Sequence, residues 1–595
     1  MPGLECNRED VRDLVGDTLQ RAGRTVDINL VIRLAQEPVT TFEQPSLGLP
    51  RQRPLGASTL LLAIAIAALA LGIFFRFYHI ERKVYWGDEV YTSLRMLGET
   101  EASVVRRAPG LHDVRDLQLI LHPVAPGGAV DFLAPASGLA LEEPHHPPFY
   151  YELAHLWAGL FGNSIVATRS LSALISLFAL PLAFWLGLEL YGSRRAGWIA
   201  VALLALSPVA VIYAQEAREY ALWGIALLAL NAALLRALRL DRPAAWGLLT
   251  VLTAFSLYVF PLTFLPLAGL ASYVLATQWR KPKLLLRCGL ALALGTVAYL
   301  PWLLILLHHL HAVTDSLAST FQSRTSPGDV LRAFAGSLRL DMFDSNLVRS
   351  SHAGVVTTAV AVVTLLVAFI FVALREQPRV WLFLALPILW TTLPLLIPDL
   401  FSGGERVRNP RYFTPAYLYF DYCLVGLLYA ATASRNARRA LIGNAFLVAL
   451  LAGKAVSCLA SSQATTWWNK MQDNSIAVAR AVNGTPRPLV VSDAYVDYAL
   501  VLSNYLRPGV AVALSPSCYE CADDAKKQLD VSMLPQGRFT DVFALGPSAQ
   551  LQSRLKRLIA QRHLGIAYHC INVRHNCISG LNIEPVFGAG PGRSQ

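Results

Sequence analysis

The chain has 595 residues, 54% of them hydrophobic and 15% charged, with a mean hydropathy of +0.44, which excludes a soluble globular protein of this length and indicates a polytopic membrane protein. Its formal charge of +11, from 51 Lys+Arg against 40 Asp+Glu, falls mostly in short loops between apolar runs, so it reads as membrane topology and not as nucleic-acid binding.

Residues 1–55 are polar and mixed in charge, lack the apolar core of a cleavable signal peptide, and read as a cytosolic leader ending in a proline-rich linker. From Ala57 to about Tyr78 the chain is apolar for long enough to cross the ~30 Å hydrocarbon layer. Arg51 and Arg53 precede this run, so the positive-inside rule starts it in the cytosol and brings its far end to the outside. Just beyond that end lies Val84-Tyr85-Trp86-Gly87-Asp88-Glu89-Val90-Tyr91, two adjacent carboxylates among aromatic residues of the kind that sit at a lipid boundary. The plain alternative is a solvated helix end.

A long outer loop, 79–150, closes on His145-His146-Pro147-Pro148-Phe149-Tyr150-Tyr151. The prolines fix where the next helix starts. Two neighbouring histidines fit a phosphate or a metal, but without a third ligand they are weak evidence for a metal.

Further spans are expected near 164–190, 196–213, 220–238, 245–260, 261–278, 286–306, 353–374, 380–398, 412–431 and 440–460, making about eleven transmembrane helices in all. Loop charge tests these spans independently. Arg194 and Arg195, Arg236 to Arg242, Arg280 to Arg287, Arg375 and Arg379, and Arg435 to Arg439 all fall on the expected cytosolic side.

Two outer stretches break the apolar pattern. Gln215-Glu216-Ala217-Arg218-Glu219-Tyr220 places four strongly polar side chains between two apolar helices, which costs several kcal/mol unless they pair or face water. A Glu216–Arg218 or Arg218–Glu219 ion pair is the purely structural account. Gly403-Gly404-Glu405-Arg406-Val407-Arg408-Asn409-Pro410-Arg411-Tyr412 sets three arginines outside, against the positive-inside bias. Guanidinium groups there suit a phosphate, with lipid headgroups as the alternative ligand. The loop from His308 to His352, with His308, His309 and His311, reads as an interfacial histidine cluster.

The tail, 461–595, reads as an extracytoplasmic α/β domain: Pro488–Asp493 and Asp541–Gly546 as strands, and Ala549–His563 as a basic helix. It holds Cys518, Cys521, Cys570 and Cys577, four of the eight cysteines. Disulfides fit an oxidising compartment, while the Cys518-Tyr519-Glu520-Cys521 spacing leaves zinc or a redox pair open. Cys6, Cys288, Cys423 and Cys458 read as packing residues.

With these motifs in view, the chain resembles the membrane glycosyltransferases of the GT-C fold that use polyprenyl-phosphate sugars, relatives of the protein O-mannosyltransferases and of the lipid A aminoarabinose transferase. The resemblance is carried by Trp86-Gly87-Asp88-Glu89, His146-Pro147-Pro148-Phe149-Tyr150-Tyr151, Gln215 to Tyr220 and Arg411-Tyr412-Phe413-Thr414-Pro415, and covers roughly residues 57–430. It implies a catalytic membrane domain over 56–460, with Asp88 as catalytic base and Glu89 beside it at the acceptor. By the same resemblance His146, Tyr150, Gln215, Glu216, Arg218 and Tyr220 line the cavity, and Arg408, Arg411 and Tyr412 sit at the donor phosphate.

The implied reaction moves a sugar from a polyprenyl-phosphate donor to a lipid, glycan or protein acceptor in a single inverting displacement. The implied place is a bacterial inner membrane, with site and tail facing the periplasm. No nucleotide-binding loop is evident. No metal is assigned, although some relatives bind a divalent ion. Where aminoarabinose transferases carry a basic residue after the acid pair, this chain has Val90, Tyr91 and Thr92, which leaves the sugar unassigned. A polymer ligase of similar membrane fold and a transporter are the rival readings. The transporter is disfavoured because the polar clusters gather on one face and no repeat is evident.

Overall fold

The computed structural model describes residues 59–571 apart from 124–132, 311–312, 315–324, 345–351, 471–473, 519–528, 530–537 and 562–566. The leader, Cys6, Cys521, Cys577, His311 and much of the loop around it lie outside the described residues.

The first helix, α1 (Thr59–Phe77), leads to an outer region of short helices: α2 (Gly87–Met96), α3 (Glu101–Arg107), α4 (Val114–Leu121) and α5 (Ala134–Glu142), with strand β1 (Gly110–Asp113) between α3 and α4. Pro147 and Pro148 then start α6 (Phe149–Phe161), in keeping with the stop that two prolines impose. The bundle continues through α7 (Ile165–Leu177), α8 (Ala179–Tyr191), α9 (Arg194–Ala205), α10 (Pro208–Ala214), α11 (Tyr220–Leu240), α12 (Pro243–Val259), α13 (Phe264–Gln278) and α14 (Pro282–His308). After α15 (Pro327–Leu340) come α16 (His352–Arg375), α17 (Pro378–Ser402), α18 (Thr414–Thr432) and α19 (Ala437–Gln463).

Among the described residues seven helices are long and apolar enough to cross a membrane, or eight if the pair α9 and α10, bent by 59°, counts as one span. That is fewer than the eleven expected. The three other expected segments are helices, but α12 and α13 have only 17 and 15 residues, and α18 is diluted by Tyr417, Tyr419, Asp421, Tyr422 and Tyr429. Such a helix is held by its neighbours more than by lipid.

Burial sorts the helices. On α14 the buried residues Leu284, Cys288, Ala291, Gly295, Tyr299 and Trp302 recur every three or four positions, one helical stripe, while Leu286, Leu290, Leu294 and Val297 are exposed and suit lipid contact. α11 is instead buried on every side, with Trp223, Leu227, Leu230 and Leu234 in the core. Its Asn231 accepts from the Tyr419 hydroxyl at 3.0 Å, the kind of polar bond that fixes one membrane helix against another.

The tail supplies α20 (Ser475–Asn483), β2 (Pro488–Ser492), α21 (Val496–Ser503), β3 (Ala511–Leu514), β4 (Asp541–Leu545), α22 (Ala549–Gln561) and β5 (Ala567–Ile571). The sheet order is β1-β3-β2-β4-β5, parallel except for β1, with Val490 opposite both Val512 and Phe543. All five residues of β2 are buried, as a central parallel strand requires. Leu489 and Val491 pack with Leu551 and Leu555 of α22. Val490 points the other way and shares a core with Tyr85, Trp86 and Val90. Strand β1 belongs to the outer loop, so loop and tail are joined by one ladder and one core around the Trp86 stretch. Cys518 is disulfide-bonded, in line with the disulfide reading of the tail.

Candidate active site

Asp88 and Glu89 occupy the first turn of α2, where the helix dipole favours carboxylates. Neighbouring positions on a helix face different directions, and the two acids meet different fates.

Glu89 is fully buried. Arg169 of α7 grips it with two bonds of 2.7 Å, the Ala217 N–H donates at 3.0 Å and Lys470 Nζ at 2.8 Å. Burial alone would raise its pKa, but Arg169 and Lys470 outweigh burial and hold the carboxyl below the usual range. Both oxygens of Glu89 are engaged by this chain's own donors. Asp88, one residue earlier, keeps 26% of its side chain exposed, and its Oδ2 meets Arg411 Nη1 at 2.5 Å.

Arg411 is presented from the short turn Pro410–Phe413 that leads into α18. Its guanidinium lies 5.9 Å from the Trp86 ring centre, 5.8 Å from Tyr220 and 5.6 Å from Tyr412. Three aromatic rings therefore surround it, while Asp88 takes its Nη1.

The polar break between α10 and α11 resolves into separate tasks. Gln215 donates to the Phe75 and Tyr78 carbonyls at 2.7 and 2.9 Å and accepts from Lys83 at 2.8 Å, which ties the end of α10 to the end of α1. Burial, with Arg169 and Lys470 nearby, pushes the Lys83 ammonium down to about 7. Glu216 bonds Lys470 at 2.9 Å and also the Asn469 amide. Arg218 lies 3.3 Å from Glu219 and donates to His146 Nε2 at 3.1 Å and to the Asp88 carbonyl at 3.3 Å. With Nε2 accepting, His146 Nδ1 carries the proton toward Glu219 at 3.0 Å. Arg218 and His146 overcome the burial of Glu219 and hold its carboxyl down at about 2. The Arg218–Glu219 pair is thus formed, while Glu216 takes a partner from the far end of the chain.

The structure gathers Asp88, Glu89, His146, Gln215, Glu216, Arg218, Tyr220, Arg411 and Tyr412 at one end of the bundle. Arg408 instead pairs at 3.1 Å with Glu405 and stays half exposed, and the buried Tyr150 hydroxyl bonds Ser172 at 2.8 Å, behind the cluster. Three residues that the sequence reading missed belong here: Arg169, Lys83 and Lys470. The signal for Lys470 was its context, Trp467-Trp468-Asn469-Lys470, an aromatic and polar stretch directly after a span, like the Trp86 stretch itself. Both tryptophans donate to Asp344 at 2.7 Å, which fixes the turn that aims Lys470 inward. Among the described residues no group of three or more His, Cys, Asp or Glu is placed to hold a metal. His308 and His309 pack ring against ring, 5.0 Å apart.

The arrangement offers one partly exposed carboxylate beside one partly exposed guanidinium, on a base of neutralised ion pairs. A proton acceptor and an anion stabiliser within one hydrogen bond of each other suit displacement of an anionic leaving group by a hydroxyl.

A family model described as dolichyl-phosphate-mannose-protein mannosyltransferase matches residues 145–305, a stretch that includes His146 and the Gln215–Tyr220 break. No curated protein matches the chain. Among solved structures it is similar to ArnT from Cupriavidus metallidurans bound to undecaprenyl phosphate, at 15% identity and TM-score 0.46, with 79% of this chain and 87% of that one covered. It is also similar to the Archaeoglobus fulgidus oligosaccharyltransferase tethered with an acceptor peptide, at 12% identity and TM-score 0.45, with 75% of this chain covered. The chain spans 63% of the length of that oligosaccharyltransferase.

Proposed function

We propose that this chain is a membrane glycosyltransferase of the GT-C type that moves a sugar from a polyprenyl-phosphate donor to a hydroxyl of an acceptor outside the cytosol. The observation that carries the reading is the pairing of Asp88 with Arg411 across 323 positions of sequence, both partly exposed, at one polar end of an apolar bundle. Asp88 takes the proton of the acceptor hydroxyl while that oxygen bonds to the anomeric carbon. The bond from that carbon to the phosphate oxygen breaks, and Arg411 holds the charge that develops on the departing lipid phosphate. One displacement inverts the anomeric centre. A lipid phosphate is already a good leaving group, so no strong acid is needed there.

Arg411 Nη1 is held by Asp88, so a donor phosphate must compete for it. When the phosphate takes Arg411 over, the carboxylate loses its partner and becomes the better base. Donor binding thereby readies the group that acts on the acceptor. Arg218, whose charge is spent on Glu219, props the Asp88 carbonyl and positions the turn.

The experiment is Arg411→Lys in purified full-length protein. An ammonium lacks the planar fork, so donor affinity and turnover should each fall roughly 10–100-fold, the range of a lost charge-assisted hydrogen bond. Wild-type affinity and turnover would remove Arg411 from the phosphate.

The acceptor class, whether lipid, glycan or protein, is common ground for this chemistry. We read the site as facing away from the cytosol, because Arg195 at the start of α9 bonds the Thr432 carbonyl at the far end of α18 while Arg411, which holds Asp88, precedes its other end; in a bacterial inner membrane that is the periplasmic face. A reporter active only in the cytosol and fused after Gln595 should be silent. Cytosolic signal from that fusion would reverse the orientation.

A further inference from the structure

Between α1 and α2, Val84 and Tyr85 belong to no helix or strand and are fully buried, and a buried backbone donor outside regular structure needs a partner from elsewhere. Both amides find theirs beyond the last span: the Val84 N–H donates to the Thr465 carbonyl at 2.8 Å and the Tyr85 N–H to the Tyr505 hydroxyl at 2.6 Å. The carbonyls of the same stretch go the other way. Arg169 of the bundle donates to those of Ile80, Lys83 and Val84 at 2.8, 3.0 and 2.9 Å. The segment is strung between bundle and tail.

No side-chain bond caps α2, whose N-cap is Trp86, so the helix start that carries Asp88 is placed by what holds the residues before it. Tyr85 carries that placement into α2 with its other end, its hydroxyl 2.6 Å from Ser93 Oγ and its ring 5.3 Å from the Arg169 guanidinium. Tyr505 is itself held. The turn that bears it accepts from the Gln118 side chain at the Ser503 and Leu506 carbonyls, 2.8 and 3.3 Å, and from the Asn483 side chain at the Tyr505 carbonyl, 2.9 Å. Asn483 Oδ1 takes the Arg507 N–H in return, at 2.9 Å. A hydroxyl anchored on two sides, by α4 of the outer loop and α20 of the tail, can set the position of the group it bonds.

We infer that the Tyr505 hydroxyl is a positioning group for Asp88: through Tyr85 it sets the first turn of α2 so that the Asp88 carboxylate meets Arg411. Tyr505 acts through Tyr85 and not on the substrate itself, and the tail thereby completes the site. A reacting group tolerates little displacement, since about 1 Å can cost ~10²-fold in rate. The Thr465 bond joins backbone to backbone and offers no side chain to remove, whereas the Tyr505 bond does. The inference rests on the roles proposed above for Asp88 and Arg411 and adds a residue that brings them together.

The test uses the full-length protein in nanodiscs and takes two readings: hydrogen exchange across residues 84–92 and binding of undecaprenyl phosphate. Tyr505→Phe keeps the ring and removes the acceptor of the Tyr85 N–H, so exchange at Tyr85 should quicken at least about tenfold. Asp88, no longer set against Arg411, then competes less well for it. Affinity for undecaprenyl phosphate should rise at least about twofold, and Asp88→Asn added to Tyr505→Phe should gain less than Asp88→Asn gains alone, the signature of two residues acting on one contact. Val542→Ala opens a cavity on the other face of the sheet, among Leu489, Leu551 and Leu555, and should lower Tm with both readings at their wild-type values. Where Tyr505→Phe does not fold, Gln118→Ala, which loosens the turn and keeps the hydroxyl, should move both readings the same way by less. Unchanged exchange at Tyr85, weaker lipid-phosphate binding, a full Asp88→Asn gain in the Tyr505→Phe background, or equal quickening in Val542→Ala would each overturn the assignment. A wild type that binds no undecaprenyl phosphate would sink the donor reading alone, since quickened exchange confined to Tyr505→Phe would still place Tyr505 behind the Asp88 turn.

Discussion

Asp88→Asn is expected to move two measurements in opposite directions. Asparagine keeps the size of the side chain and an oxygen for hydrogen bonding but cannot accept the acceptor's proton, so transfer should slow by about 10²–10⁴-fold, the usual worth of a positioned general base. The same change removes the carboxylate that competes for Arg411. Affinity for undecaprenyl phosphate should therefore rise about fivefold, the ~1 kcal/mol of a partly exposed ion pair. A merely structural Asp88 would not give this split, since a damaged site loses binding and turnover together. Transfer rate with donor supplied in membranes and binding of undecaprenyl phosphate to purified protein give the two readings. Turnover near wild type would remove Asp88 as base, and weaker lipid-phosphate binding would remove the exchange of partners at Arg411.

The residues at the centre of the site were legible for a physical reason: each violated the pattern around it. Asp88 and Glu89 stand where an apolar run has just ended, Gln215 to Glu219 interrupt two apolar helices, and Arg411 lies on a loop whose charge opposes the positive-inside bias. Their partners were less legible. Arg169 sits inside an apolar helix, where a lone arginine carries no periodic signal, and Lys470 comes after the last expected span in what reads as the start of the tail. The sequence also could not divide labour between the two acids, because burial of Glu89 depends on residues 80 and 381 positions away.

Architecture shows the same division. The expected spans are helices, yet a window of apolar residues cannot tell a helix that crosses lipid from one enclosed by others, and α12, α13 and α18 fall on that line. In the tail, the expected strands at Pro488 and Asp541 and the helix from Ala549 are present, since buried parallel strands appear as short apolar runs. Strand β1 was hidden. Gly110-Leu111-His112-Asp113 alternates too little to announce a strand and becomes one through its ladder with β3. That ladder brings the tail against the Trp86 stretch, so the sheet reaches the polar end of the bundle that holds Asp88 and Glu89.

Glu89→Gln should fail differently from Asp88→Asn, at folding and not at chemistry. The Glu89 carboxylate sits between Arg169 and Lys470, with all three side chains at most 1% exposed, and an amide leaves the buried Arg169 without a carboxylate and Lys470 with Glu216 alone. Breaking a buried pair from one side costs about 3–5 kcal/mol, a large share of the stability of any domain. Thermal unfolding in detergent should register it as a clear fall in Tm, with donor binding and turnover lost in proportion to the folded fraction. Removing both ends of the contact, as Glu89→Gln with Arg169→Met, should cost less than the sum of the single changes, because no guanidinium is then left unpaired. The acid side gives an independent check. The Glu89 pKa is depressed in the fold, so its contribution is complete above the ordinary carboxylate value of about 4.3 and fades as acidification carries the carboxyl through its lowered one. The wild type should therefore lose stability more steeply below about pH 4 than the variant does. A Glu89→Gln protein that melts like the wild type but transfers no sugar would put Glu89 into the chemistry and return the question of the base to both acids.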